Sequence, residues 1–237
     1  MTRITDLLPL ILLASGVPEA QGQSRDAAGL ARQISTYAAP IDEPANPRVL
    51  AVMRAVPRHL FVPPSQRENA YDDRPLPIGE DQTISQPSLV ALMTHLLRPK
   101  QEDVMLEVGT GSGYQAAILS RLVGRVYTIE IVEPLARRAS QRLLRLGYKN
   151  VEVRHGDGYA GWPQHAPFDG IIVTAGAPHV PKPLLEQLRP GGRMVIPIGP
   201  AESVQQLLLI TKGRNGAVRR ERIIPVRFVP LTRGRGN

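Results

Sequence analysis

The chain has 237 residues, a net charge of +8 from 29 Lys or Arg against 21 Asp or Glu, and no cysteine. That length allows one large or two small domains with a core of their own. The missing thiols exclude disulfides, thiolate metal sites and every cysteine nucleophile.

The five His show no metal-ligand spacing, so no metal site is expected. The longest apolar run, residues 7–14, is interrupted by Pro9 and falls well short of a bilayer span, so no membrane association is expected. Among the last 37 residues, 8 Lys or Arg face 2 acidic residues, with Arg233 and Arg235 in a tail that reads as frayed. This basic end is almost all Arg and has few aromatics around it. It offers phosphate attraction without a stacking platform, so no specific nucleic-acid partner is expected.

In chain order, residues 1–24 combine Arg3, the apolar run and a small-residue pattern at Ala20-Gln21-Gly22. They read either as a signal that would export the chain to the periplasm or as a dispensable extension of a cytoplasmic protein. Residues 25–237 are expected to form one domain, with a helix-and-loop region over 25–100 and a sheet core over 101–237. Helices are predicted over 26–38 and over 47–56, the second opened by Pro47. Residues 57–79 are rich in Pro and predict an irregular crossing. Ser85-Gln86-Pro87-Ser88 predicts the start of a helix with Leu89, Leu92, Met93, Leu96 and Leu97 on one stripe, and Ser85 stands where an N-cap would.

From residue 103 strands and helices alternate. Strands are predicted over 104–108, 126–130, 151–154, 170–174 and 193–198. Helices are predicted over 114–122, 134–146 and 183–188, the last stopped by Pro190-Gly191-Gly192. A hairpin of 205–212 with 221–228 closes the chain. Such alternation predicts an α/β, Rossmann-like fold, with a mostly parallel central sheet, helices on both faces and a C-terminal antiparallel hairpin.

Three loops follow successive strands of that sheet. Gly109-Thr110-Gly111-Ser112-Gly113 turns from strand to helix, where a backbone can approach a ligand closely. Glu130 ends the next strand, placed to accept hydrogen bonds from a ribose diol. Gly156-Asp157-Gly158 follows the third strand. Singly, Glu130 reads as a surface acid and Asp157 as a turn former. In order, at the carboxyl ends of adjacent strands, they read as a pocket for S-adenosylmethionine.

The acceptor is narrowed by what is missing. Methylation of cytosine C5 needs a cysteine. Enzymes acting on base amino groups follow this strand with Asn/Asp-Pro-Pro-aromatic, and here Thr174-Ala175-Gly176-Ala177-Pro178 stands. No carboxylate cluster resembles a magnesium site. A nucleophilic acceptor such as a carboxylate remains, for which alignment and exclusion of water suffice.

Further segments carry a resemblance. Val56-Pro57-Arg58-His59-Leu60-Phe61-Val62-Pro63, Leu76-Pro77-Ile78-Gly79, Gln82-Thr83-Ile84-Ser85-Gln86-Pro87, Leu106–Tyr114, Gly156-Asp157-Gly158 and Pro225–Leu231 resemble the protein-L-isoaspartate (D-aspartate) O-methyltransferases. The resemblance runs from about residue 26 to 232, and the Thr-Ile-Ser segment is its most specific part. It implies the fold of the S-adenosylmethionine-dependent methyltransferases. It also implies methylation of the free α-carboxylate of L-isoaspartyl residues in proteins and peptides, the first step of repair, by a monomer.

By the same resemblance Ser85 is the active-site residue. Thr83, Gly109, Gly111, Gly113, Glu130, Gly156, Asp157 and Gly158 border the cofactor, and no metal takes part. The chain departs from the family pattern at Glu80-Asp81, where a glycine is expected just before Gln82. Two other readings stay open, a methyltransferase acting on RNA through the basic end and an inactive module that only binds the cofactor.

Overall fold

A computed structural model describes residues 46–201 and 203–233. The expected extension over 1–24, the helix over 26–38 and Arg235 lie outside the described residues. The chain enters through α1 (Pro47–Ala55), capped by Asn46 and opened by Pro47 as expected. Two short 3₁₀ turns over 58–66 follow. The Pro-rich crossing then ends in an unforeseen hairpin of β1 (Leu76–Gly79) and β2 (Gln82–Ile84). Its strands have three or four residues, too few to show an alternating pattern in the sequence.

The helix after the hairpin, α2 (Pro87–Leu97), is buried at every position, although its sequence predicted a single apolar stripe. It packs between α1 and the central sheet, so even Thr94 and His95 are enclosed. The alternating core follows as predicted: β3 (Val104–Val108), α3 (Tyr114–Ser120), β4 (Arg125–Glu130), α4 (Glu133–Arg145), β5 (Val151–His155), β6 (Phe168–Val173), α5 (Lys182–Gln187), β7 (Leu188–Ile198), β8 (Gln205–Lys212) and β9 (Val218–Val226). Pro190-Gly191-Gly192 does not separate α5 from a later strand. It lies inside β7, which starts at Leu188 and takes a register shift against β6. Arg189 there is ion-paired with Asp169, whose other oxygen accepts the Val104 N–H, and these bonds hold the segment onto the sheet.

The seven-stranded sheet has the order β5-β4-β3-β6-β7-β8-β9. Its first five strands are parallel, and β7, β8 and β9 pair antiparallel. Residues alternate between its faces, as the pleat requires. Met105, Ile172 and Val195 join one core layer with α1 to α4. Leu106, Ile171, Val173, Met194 and Ile196 join the other, with Leu184 of α5 and Trp162. The chain leaves β3 toward β4 on one side and returns to β6 on the other. The carboxyl ends of β3, β4 and β6 therefore diverge around a crevice, the place where open α/β sheets bind ligands.

Candidate active site

The crevice is floored by the glycine turn between β3 and α3. Gly109 has φ +99, and a Cβ there would stand 2.4 Å from Thr174 Oγ1. That hydroxyl donates to the Gly109 carbonyl at 2.6 Å, so the end of β6 closes on the turn and leaves no room for a side chain. Arg142 of α4 donates to the Ser112 carbonyl at 2.7 Å and ties the turn from behind.

Two carboxylates stand over this floor. Glu130, at the end of β4, accepts the Gly111 N–H through Oε2 at 2.7 Å and the Val132 N–H through Oε1 at 2.9 Å. Both bonds fix its orientation, and each oxygen keeps further acceptor capacity. Glu107, on β3, is completely buried. Its Oε2 accepts from Thr128 Oγ1 at 2.6 Å, and Thr128 pairs in turn with Thr110 Oγ1 at 2.6 Å. Its Oε1 has no hydrogen-bond partner among the described residues. Burial pushes the Glu107 carboxyl up to about 8, the Thr128 hydroxyl works against that rise, and the Glu130 charge adds to it.

The front wall comes from the β1–β2 hairpin. Its two-residue turn is Glu80-Asp81, with φ +53 and +54. Glycine adopts this conformation without strain, which explains why the family pattern has one here. The departure keeps the hairpin, with Glu80 Oε1 paired to Arg138 Nη1 of α4 at 3.0 Å. The strand leads to Ser85, whose expected capping role is not observed. The N-cap of α2 is Gln86, which makes no side-chain capping bond. Asp73 Oδ1 accepts the Ser88 N–H at 2.8 Å instead. A carboxylate twelve residues upstream of Ser85 thus serves the helix end, and no hydrogen bond to the described residues engages the Ser85 hydroxyl.

The mouth is completed by Val229 to Thr232. Gly176 donates to the Val229 carbonyl at 2.8 Å and accepts the Leu231 N–H at 2.7 Å, which lays the segment across the end of β6. Arg233 is not frayed, since its guanidinium lies 4.6 Å from the centre of the Tyr159 ring.

One cavity brings together Ser85, Thr83, Gly109, Gly111, Glu130 and Gly158. Gly113, Gly156 and Asp157 stand outside its lining. Gly113 is the N-cap of α3, facing Leu143 of α4. Asp157 turns its carboxylate back to accept the Tyr159 N–H at 2.8 Å and caps the short turn over 158–160. Trp162 and Phe168 are buried core residues, in an aromatic cluster with Tyr127. Sequence reasoning missed Gln82, Gln115 and Thr174 in the lining, and did not place Glu107 there although it stands two residues before the glycine turn.

No Lys, Arg or His is among the described lining residues, and two carboxylates are. Such a site suits a cation better than the pyrophosphate of a dinucleotide. The sulfonium and ammonium of S-adenosylmethionine fit this donor set, with Val90, Met93, Ile129 and Val132 as apolar walls. Among the described residues no group of three or more His, Cys, Asp or Glu is placed to hold a metal ion.

The family model described as protein-L-isoaspartate(D-aspartate) O-methyltransferase matches residues 42–236. A relative named protein-L-isoaspartate O-methyltransferase 2, from Syntrophobacter fumaroxidans, is 54% identical over 239 residues, 96% of each chain. Another of that name, from Polaromonas sp., is 62% identical over 78% of this chain and 88% of its own. A solved protein-L-isoaspartate O-methyltransferase superposes with TM-score 0.75 at 29% identity, over 87% of this chain and 66% of that one. A structure from Plasmodium falciparum, titled a putative protein-L-isoaspartate O-methyltransferase in complex with S-adenosyl-L-homocysteine, gives TM-score 0.70 at 25% identity, over 86% and 99% of the two chains. With a cavity suited to a sulfonium cofactor and a family match over most of its length, the chain belongs to the protein-L-isoaspartate (D-aspartate) O-methyltransferase family.

Proposed function

We propose that this cavity transfers a methyl group from S-adenosylmethionine to the free α-carboxylate of L-isoaspartyl residues in damaged proteins and peptides. The observation that carries the reading is the unengaged Ser85 hydroxyl beside a cavity lined by Glu107 and Glu130, with no Lys, Arg or His among the described lining residues. S-adenosylmethionine supplies an electrophilic methyl on a sulfonium. A carboxylate acceptor is already an anion, so the chain needs no strong base, and no His is among the described lining residues.

Glu130 holds the ribose diol through the acceptor capacity left on its two oxygens. Thr83, Gly109, Gly111 and Gly158 border the cofactor directly, while Gly113, Gly156 and Asp157 shape the loops behind them. Ser85 donates its hydroxyl hydrogen to one oxygen of the acceptor carboxylate and turns the other toward the methyl group. Bond formation cancels the two charges, so most of the acceleration comes from alignment and from excluding water. We read residues 25–237 as one domain, supported by a core layer in which Val49 to Leu97 and Met105 to Val226 share contacts. We read the chain as a monomer. Among the described residues no helix is long and apolar enough to cross a membrane. We place the activity in the cytoplasm, where S-adenosylmethionine is made.

The test is a pair of peptides that differ only in an isoaspartyl or a normal aspartyl link. Incubated with S-adenosylmethionine, the first should gain a base-labile methyl ester and the second should not. Equal labelling of both, or labelling of RNA in their place, would overturn the assignment. Cofactor binding without transfer to either would make the chain a binding module.

A further inference from the structure

A second cavity lies on the far side of Ser85. It is lined by Pro75, Gln86, Leu89, Val204 and the run Ile224 to Arg227, with Ser88 at its base. The two cavities share both walls. The segment 82–85 borders the first and Gln86, Ser88 and Leu89 the second, while 229–232 borders the first and 224–227 the second. Between them Phe228 is fixed, since Gln205 accepts its N–H at 2.8 Å and donates to its carbonyl at 3.3 Å. A peptide that delivers its isoaspartyl carboxylate past Ser85 therefore brings its neighbouring side chain beside the second cavity.

The chemistry of this cavity is uneven. Leu89, Val204, Ile224 and Pro225 give it aliphatic walls, and Val204 is 49% exposed at its edge although it is a large apolar residue. Ser88 is 1% exposed, and its hydroxyl has no hydrogen-bond partner among the described residues. Its own N–H is taken by Asp73, so among the described residues the hydroxyl stays an unpaired polar group beneath the aliphatic lining. The exposed Arg227 stands in the same lining.

We propose that this second cavity is a specificity subsite that takes an aliphatic side chain next to the isoaspartyl residue of the substrate. The inference rests on the methylation reading above and adds a selection that the cofactor cavity does not make. Filling an apolar pocket with a side chain that fits discriminates by roughly ten- to two-hundredfold. Glycine at the same place leaves the aliphatic walls in water.

The experiment measures kcat/KM on hexapeptides in which the residue before or after the isoaspartyl is Leu, Gly or Asp. Leucine should exceed glycine by about tenfold at one of the two positions, by the discrimination expected of an apolar pocket. Val204→Trp, which fills the cavity from an exposed loop, should remove most of that preference. Val204→Asp should remove it too, through charge in place of bulk. S-adenosylmethionine affinity, measured by calorimetry, reports that both variants are folded.

Equal rates on every flank in the parent, or an unchanged preference in both folded variants, would overturn the subsite and leave isoaspartyl methylation standing. No transfer to any of the peptides, with cofactor still bound, would overturn the methylation reading and the subsite with it.

Discussion

The two walls of the cleft are built in opposite ways. The cofactor wall is local: Gly109 to Gly113 follow β3 directly, Glu130 ends β4, and Gly158 follows β5 within a few residues. Backbone groups set its geometry, because the Gly111 and Val132 N–H groups clamp Glu130 and the Thr174 hydroxyl closes on Gly109. The front wall is assembled from distant pieces. Ser85 arrives on a short hairpin, Asp73 holds the helix behind it, and Val229 to Thr232 cross from the far end of the chain. The cofactor wall is preorganised by secondary structure, and the front wall depends on a few side-chain tethers. Substitutions in the first should therefore alter cofactor binding, and those in the second turnover or stability.

The largest effect is expected at Glu130. Glu130→Ala removes the ribose acceptor and leaves two N–H groups unpaired. KM for S-adenosylmethionine should rise roughly ten- to hundredfold, for about 1.5–3 kcal/mol of charge-assisted hydrogen bonding, with kcat little changed. A fall in kcat at unchanged KM would reverse the division of labour between the walls.

Ser85→Ala should do the opposite. Its single hydrogen bond to the acceptor, about 1.5 kcal/mol, predicts a kcat lower by about tenfold at unchanged cofactor KM. Because Ser85 caps nothing, the melting temperature should stay with the parent. A melting temperature several degrees lower, with kcat intact, would return Ser85 to a structural role.

A smaller effect sharpens the comparison through pH. With its carboxyl raised to about 8 from an ordinary 4.5, Glu107 is protonated in the unliganded protein near neutrality. A cationic cofactor favours the ionised form, so affinity should increase as pH rises from 6 to 8 and level off above. Stability of the free protein should move the other way. The folded state holds a proton that the unfolded state has released between about 4.5 and 8, so stability falls as pH rises across that window. Glu107→Gln should flatten both profiles, and profiles parallel to the parent's would show that another group titrates.

The smallest effects concern the tethers of the front wall, and they differ in sign. Asp73→Ala removes the cap of α2, about 1 kcal/mol, and should lower the melting temperature by roughly 2–4 °C. Asp81→Gly relieves a left-handed backbone that costs a non-glycine residue about 1 kcal/mol, and should raise it by roughly 2 °C. Thermal scans of both against the parent decide the matter. A stabilising Asp73→Ala would show that the carboxylate is strained where it stands.

Much of this molecule is legible in its sequence. The order of strands and helices from residue 103 onward was fixed by apolar runs of five or six residues punctuated by glycine and proline. Glu130 and the glycine turn were recognisable because their function follows from their place at a strand end. Such signals are short in sequence, so local pattern carries them. The segments around Ser85 and Val229 could be flagged only through resemblance to a family. Composition and spacing do not say that two stretches more than 140 residues apart face each other.

Three features were decided by the tertiary structure alone. Asp73 rather than Ser85 serves α2, because folding places a carboxylate beside the helix end and thereby leaves the serine hydroxyl to the cavity. Asp157 turns away from the cavity, because its own short turn takes the carboxylate. Glu107 holds its proton, because α3 and the adjoining strands bury it where Glu130 is the nearest charge. Each depends on which groups compete for one polar atom in three dimensions. A linear pattern gives the residue types and their order, and only packing decides which partner each of them finds.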